Sequence, residues 1–122
     1  MRMRLSEVAY FVDDVPAAVS FYRALLGEPE HKGTGIAIFR AGDAKLLIHE
    51  RYEPKTPKDL PCEDHVAFAV EDLEATLAEL RAQGISIERE PHVFPWGKSA
   101  YLRTPAGKLV ELEESPRRDE SH

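Results

Sequence analysis

Apolar and polar positions alternate along residues 5–12, with Leu5, Glu7, Ala9 and Phe11 on one side and Val8, Tyr10 and Val12 on the other. Alternation with this β-branched and aromatic content predicts a strand. The period then changes. After Asp13-Asp14, the residues Val15, Ala18, Val19, Tyr22, Leu25 and Leu26 recur at helical spacing and stop at Gly27. An aspartate at position 14 accepts from the first helical amides, a proline is tolerated in the first turn, and glycine ends the run, so a helix is predicted. Two more strands are predicted at residues 36–40 and 45–51, joined by the turn Ala41-Gly42-Asp43-Ala44.

The pattern then starts again. The stretch from Val66 to Leu77 follows the stretch from Val8 to Val19 at an offset of 58 residues. Val8, Ala9, Val12, Asp14 and Ala17 recur identically at Val66, Ala67, Val70, Asp72 and Ala75, and Arg23-Ala24 recurs as Arg81-Ala82. A register kept through a strand and a helix favours duplication over chance likeness. In the second copy Asp72 is the helix cap, Leu73, Leu77 and Leu80 are the stripe, and Gly84 is the stop. Strands are predicted at 86–90, 99–103 and 108–113, with Thr104-Pro105-Ala106-Gly107 as a turn. The fold class read from this is α+β, two tandem βαβββ modules. Module one covers 4–52, a proline-bearing linker 53–62 and module two 63–114, forming one domain over 1–114 with a flexible tail at 115–122.

Composition narrows the function classes. Lys and Arg number 16 against 22 Asp and Glu, a net charge of −6 with no basic run, so no nucleic-acid partner is expected. Cys62 is the one cysteine, which excludes an internal disulfide and a cysteine-rich zinc site. No apolar run is long enough to span a membrane, and the first residues lack the apolar stretch of a secretory signal. A cytoplasmic protein without a membrane partner is expected.

The candidate chemistry sits on the strands. Glu7 and His65 are equivalent under the 58-residue offset, each on a strand face beside small alanines. The last strand of each module adds one more ligand-type residue, His49 in Leu-Ile-His-Glu and Glu111 in Leu-Val-Glu-Leu. A single such residue is ordinarily solvated or paired. Four at pseudo-symmetric positions form a first shell suited to a divalent transition metal. A metal-free His–Glu ion-pair network is the other arrangement these four allow. Phe11, Ala67 and Ala69 share faces with the ligand candidates. Residues 92–101, with Trp96 and Tyr101, allow two readings, a cover over the site or a Trp96 that packs on a hairpin. Arg40, Arg51 and Lys98 are either cations that meet an anionic substrate or ordinary solvated side chains.

These residues resemble the vicinal oxygen chelate superfamily, which includes glyoxalase I, methylmalonyl-CoA epimerase, extradiol dioxygenases and bleomycin-binding proteins. The marks are Val12-Asp13-Asp14-Val15, the run from Ser20 to Gly27, the run from Asp64 to Val70, and the run from Thr104 to Leu112. Thr104 stands where the family usually has the Asp of an Asp-Pro-x-Gly turn. The resemblance implies two modules around a concave metal site, with ligand positions on Glu7, His49, His65 and Glu111. It implies a divalent cation, Ni, Co, Zn, Mn or Fe, and a small-molecule substrate chelated through adjacent oxygens. Glu7 and Glu111 are then the candidate proton-transferring carboxylates of a glyoxalase I-like lyase or isomerase. Relative to glyoxalase I, the first two ligand types are exchanged. A metal-free bleomycin-resistance-type binder and an Fe-dependent dioxygenase are the alternative readings. A homodimer is expected, with Glu7 and His49 of one chain meeting His65 and Glu111 of the other, or else a site within one chain.

Overall fold

The computed structural model describes residues 3–56, 59, 61–95 and 97–115. In chain order these form β1 (Met3–Val12), α1 (Val15–Leu26), β2 (His31–Gly33), β3 (Ile36–Ala41), β4 (Ala44–Glu50), β5 (His65–Val70), α2 (Leu73–Ala82), β6 (Ile87–Phe94), β7 (Gly97–Arg103) and β8 (Leu109–Glu114). The chain divides into two compact units, one of Glu7–His65 and one of Met1–Ser6 with Val66–His122. The division falls inside β1.

In the unit of Glu7–His65 the strand order is β2-β3-β4-β1. β3 and β4 form the expected antiparallel hairpin, closed at Ala41 and Ala44. Gly42 has φ +65° at the first central position of its two-residue turn, a conformation that favours glycine. β1 lies parallel to β4, with Glu7 opposite Lys45 and Phe11 opposite His49. α1 starts where the Asp14 carboxylate accepts from the Ala17 amide at 3.0 Å, and ends with the Gly27 amide donating to Arg23 O at 2.9 Å. Its apolar side closes over Val19, Ala37, Phe39, Leu46 and Ile48, flanked by Val8, Val12, Val15, Ala18 and Tyr22. Leu25 and Leu26, expected on the same stripe, are exposed at 64% and 37%. Periodicity marks a helix side but not the length of what that side packs on. β2 was not expected either, because His31, Lys32 and Gly33 are all exposed and carry no alternation.

In the other unit the order is β1-β5-β8-β7-β6, the Ser6 hydroxyl donating to Ala67 O at 3.1 Å. α2 is capped by Asp72, whose carboxylate accepts from the Ala75 amide at 3.0 Å. Glu114 places a further carboxylate oxygen 2.9 Å from the Leu73 amide, which suits the positive end of a helix. The predicted stripe Leu73, Leu77 and Leu80 is buried with Val70, Ala100 and Leu112. At the β7–β8 turn the Thr104 hydroxyl accepts from the Lys108 amide at 3.0 Å, and Gly107 has φ +82°. β6 runs four residues beyond its expected end at 90. Its pairing to β7 slips on both sides of Arg89, before His92, where Pro91 has no amide to donate. Residues 92–101 therefore belong to the β6–β7 hairpin, apart from Trp96, which lies outside the described residues. Ser115 donates its amide to Val70 O at 2.9 Å, and the rest of the expected tail lies outside the described residues. Among the described residues no helix is long and apolar enough to cross a membrane.

Candidate metal centre

Two of the four sequence-derived candidates meet within the unit of Glu7–His65. Glu7 sits mid-way along β1, half-buried, on the side that also carries Ala9 and Phe11. His65 opens β5 and is half-buried. Each offers a ligand atom within 4.8 Å of the other's. The ring of His65 is held from behind, since its Nδ1 lies 2.7 Å from Glu63 O. A carbonyl oxygen only accepts, so Nδ1 is the donor and Nε2 is the ring atom on the side away from that bond. That is the orienting arrangement typical of metal-binding histidines. Phe11 supports the same ring from the side, with centroids 6.2 Å apart. Phe11 is fixed in turn by its amide, which donates to Asp64 Oδ1 at 2.8 Å.

His49 stands elsewhere. The parallel pairing puts Lys45, not His49, beside Glu7, and His49 beside Phe11. That is four residues further along β4, about 13 Å at the ordinary strand rise. His49 donates from Nδ1 to Glu50 O at 2.7 Å, and its ring packs against Phe11 and Tyr52 with both centroids at 5.6 Å. Tyr52 is anchored there by its amide, which donates to Cys62 Sγ at 3.1 Å.

Glu111 lies in the other unit, on β8, and is 5% exposed. Fully buried Ser99, on the neighbouring β7, donates its hydroxyl to Glu111 Oε2 at 2.8 Å. Tyr101 is the pairing partner of Glu111, with the Arg89 guanidinium 5.8 Å above its ring. A buried carboxylate is a group suited to take a cation.

The three cations singled out in the sequence all have carboxylates at hand. Arg51 bonds Asp13 at 2.9 Å, Arg40 bonds Glu30 at 3.1 Å, and Lys98 lies 3.7 Å from Glu114 and 3.8 Å from Glu74. Lys45, beside Glu7, drew no attention in the sequence because only the strand register places it there.

The profile of the glyoxalase/bleomycin resistance protein/dioxygenase superfamily matches residues 4–112. The chain belongs to that superfamily. Among its relatives, a "Putative glyoxylase CFP32" of Mycobacterium tuberculosis is 32% identical over 106 residues, covering 82% of this chain and 40% of the relative. The chain thus spans about two fifths of that longer protein. A "Metallothiol transferase FosB" of Shouchella clausii is 29% identical, with 88% of this chain and 77% of the transferase covered. Among solved structures, Streptomyces coelicolor methylmalonyl-CoA epimerase in complex with 2-nitronate-propionyl-CoA superposes with a TM-score of 0.67 at 26% identity. That match covers 93% of this chain and 98% of the epimerase. Superfamily membership accounts for the α+β fold.

Proposed function

We propose that the chain is a metal-dependent enzyme of the glyoxalase type, with a divalent cation held by Glu7, His65 and Glu111. The observation that carries this reading is the approach of Glu7 and His65 within 4.8 Å, with His65 Nδ1 donating to Glu63 O. The donor set fits. One imidazole nitrogen and two carboxylates suit Ni²⁺, Co²⁺, Zn²⁺, Mn²⁺ or Fe²⁺. His49 is left out of the set because the register places it beside Phe11.

Such a cation supplies Lewis-acid stabilisation of negative charge on a substrate oxygen. The chain's own side chains do the rest. Ser99 pins Glu111, which makes it the stationary carboxylate. Glu7, on a half-buried face, is the proton carrier between neighbouring substrate carbons, its carboxylate oxygen taking the proton and returning it. Ala9 and Phe11, on the same side of β1, supply an apolar surface that keeps water from that proton. The substrate class is a small molecule with adjacent oxygens.

The test starts with protein purified without chelator and analysed for metal, followed by calorimetric titration of nickel into the stripped protein. One nickel per chain is expected, with binding lost in Glu7→Gln, His65→Ala and Glu111→Gln. Failure of the wild type to bind any of the five metals overturns the reading. Exchange of deuterium from D₂O into hydroxyacetone, followed by proton NMR, then separates catalysis from sequestration. Metal-dependent exchange supports the enzyme.

A further inference from the structure

The side of β1, β4 and β3 that carries Glu7 has a chemical order. Lys45 is the pairing partner of Glu7, and Arg40 is the partner of Lys45. Partners on neighbouring strands project to the same side of a sheet, so Glu7, Lys45 and Arg40 form one charged row. Two residues along, the row reads Ala9, Leu47 and Ile38, all apolar. Leu46 and Ile48 point the other way, into the cluster under α1, which leaves Leu47 and Ile38 half-buried outside that core. The two cations of the charged row differ. Arg40 is fastened to both carboxylate oxygens of Glu30, at 3.1 and 3.3 Å, which cancels its charge. Lys45 is exposed, and no ion pair to it occurs among the described residues.

We propose that Lys45 is a specificity-determining residue and that the substrate is an anion. This rests on the metal-centre reading above and extends it to the substrate class. The substrate's adjacent oxygens lie at the Glu7–His65 centre, and a separate carboxylate or phosphate is bound by the Lys45 ammonium. Neighbouring strands are about 4.8 Å apart, so a link of two or three carbons joins the two groups. That link lies on the apolar row beginning at Ala9 and Leu47. A hydrogen bond to a charged group makes the anion worth about a tenfold gain in affinity.

The test uses nickel-loaded protein and three hydroxamates, which chelate through adjacent oxygens. Succinic monohydroxamate carries a carboxylate, 3-phosphonopropionohydroxamate a phosphonate, and butyrohydroxamate a methyl group in the same place. Calorimetry on the wild type is expected to favour at least one anionic probe about tenfold over the neutral one, and the better of the two identifies the anion. Lys45→Met binds all three alike, Lys45→Arg restores the preference, and Arg40→Met keeps it. A wild type without preference, or a Lys45→Met protein that retains it, overturns the proposal. Equal binding of the neutral probe by wild type and Lys45→Met confines such a failure to Lys45. A wild type that takes up nickel but not the neutral probe, or takes up none of the five metals, overturns the metal-centre reading and this proposal with it.

Discussion

The imidazole of His65 is held at 2.7 Å by the carbonyl oxygen of Glu63, two residues earlier in the chain. The bond is local, so the commitment of Nδ1 to a carbonyl, and with it the direction of the ring, is set by the chain entering β5. His65→Ala removes that donor. Nickel binding is expected to be lost while the thermal midpoint moves little, because His65 is only half-buried. His49→Ala, made in parallel, is expected to leave nickel affinity unchanged. Calorimetry and a thermal melt on both variants check this.

Ser99 is fully buried and supplies a hydrogen bond to a carboxylate that is itself 5% exposed. Ser99→Ala leaves the carboxylate of Glu111 without that donor. The variant is expected to lose about 1–3 kcal/mol of stability in urea denaturation. Loss of an orienting partner is also expected to weaken nickel binding about tenfold or more.

Gly35 has φ +73°, and a Cβ built there would lie 2.5 Å from Glu50 Cδ. Gly35→Ala therefore meets two costs, an unfavourable backbone conformation and a displaced Glu50 side chain. Glu50 is exposed and can turn away, so the backbone cost dominates. The variant is expected to lose about 1–2 kcal/mol, most of it persisting in a Glu50→Ala background. Urea melts of the two single variants and the double variant separate the parts.

Arg103 grips both oxygens of Glu88, at 2.8 and 2.7 Å, and this hydrogen bonding, more than its charge, holds the Glu88 carboxyl below the usual glutamate range. A value lowered in the folded state gives stability that is present above the unfolded value of about 4.3 and lost as pH falls through the folded value. Replacing Glu88 by Gln is thus expected to reduce stability at neutral pH and to make no difference in strong acid. Both side chains are substantially exposed, so the neutral-pH difference stays within about 1 kcal/mol. Urea melts at a series of pH values read it out.

Much of this arrangement was legible in the chain. The caps Asp14 and Asp72, the stripe Leu73, Leu77 and Leu80, and the Thr104–Gly107 turn are local features, and local chemistry decides them. The equivalence of Glu7 and His65 was legible because the repeat preserves position. Strand register was not. His49 looks like a counterpart of Glu111 in short strings of letters, but the pairing of β1 with β4 puts Phe11 beside it and Lys45 beside Glu7. Register emerges from long-range pairing, which no short window contains. The strand expected to end at residue 90 likewise runs on to Phe94, passing Pro91 through an irregular pairing.

β1 belongs to both compact units, its first four described residues to one and Glu7–Val12 to the other. The 58-residue repeat, by contrast, would assign the whole strand to the first copy. A gene cut at the proline-bearing linker would therefore not yield two self-sufficient halves. The later half would be missing the strand segment that carries Ser6, and the earlier half would keep four residues that pack in the other unit. The sequence repeat and the compact units thus follow different boundaries, and the unit of inheritance suggested by the one is not the unit of packing described by the other.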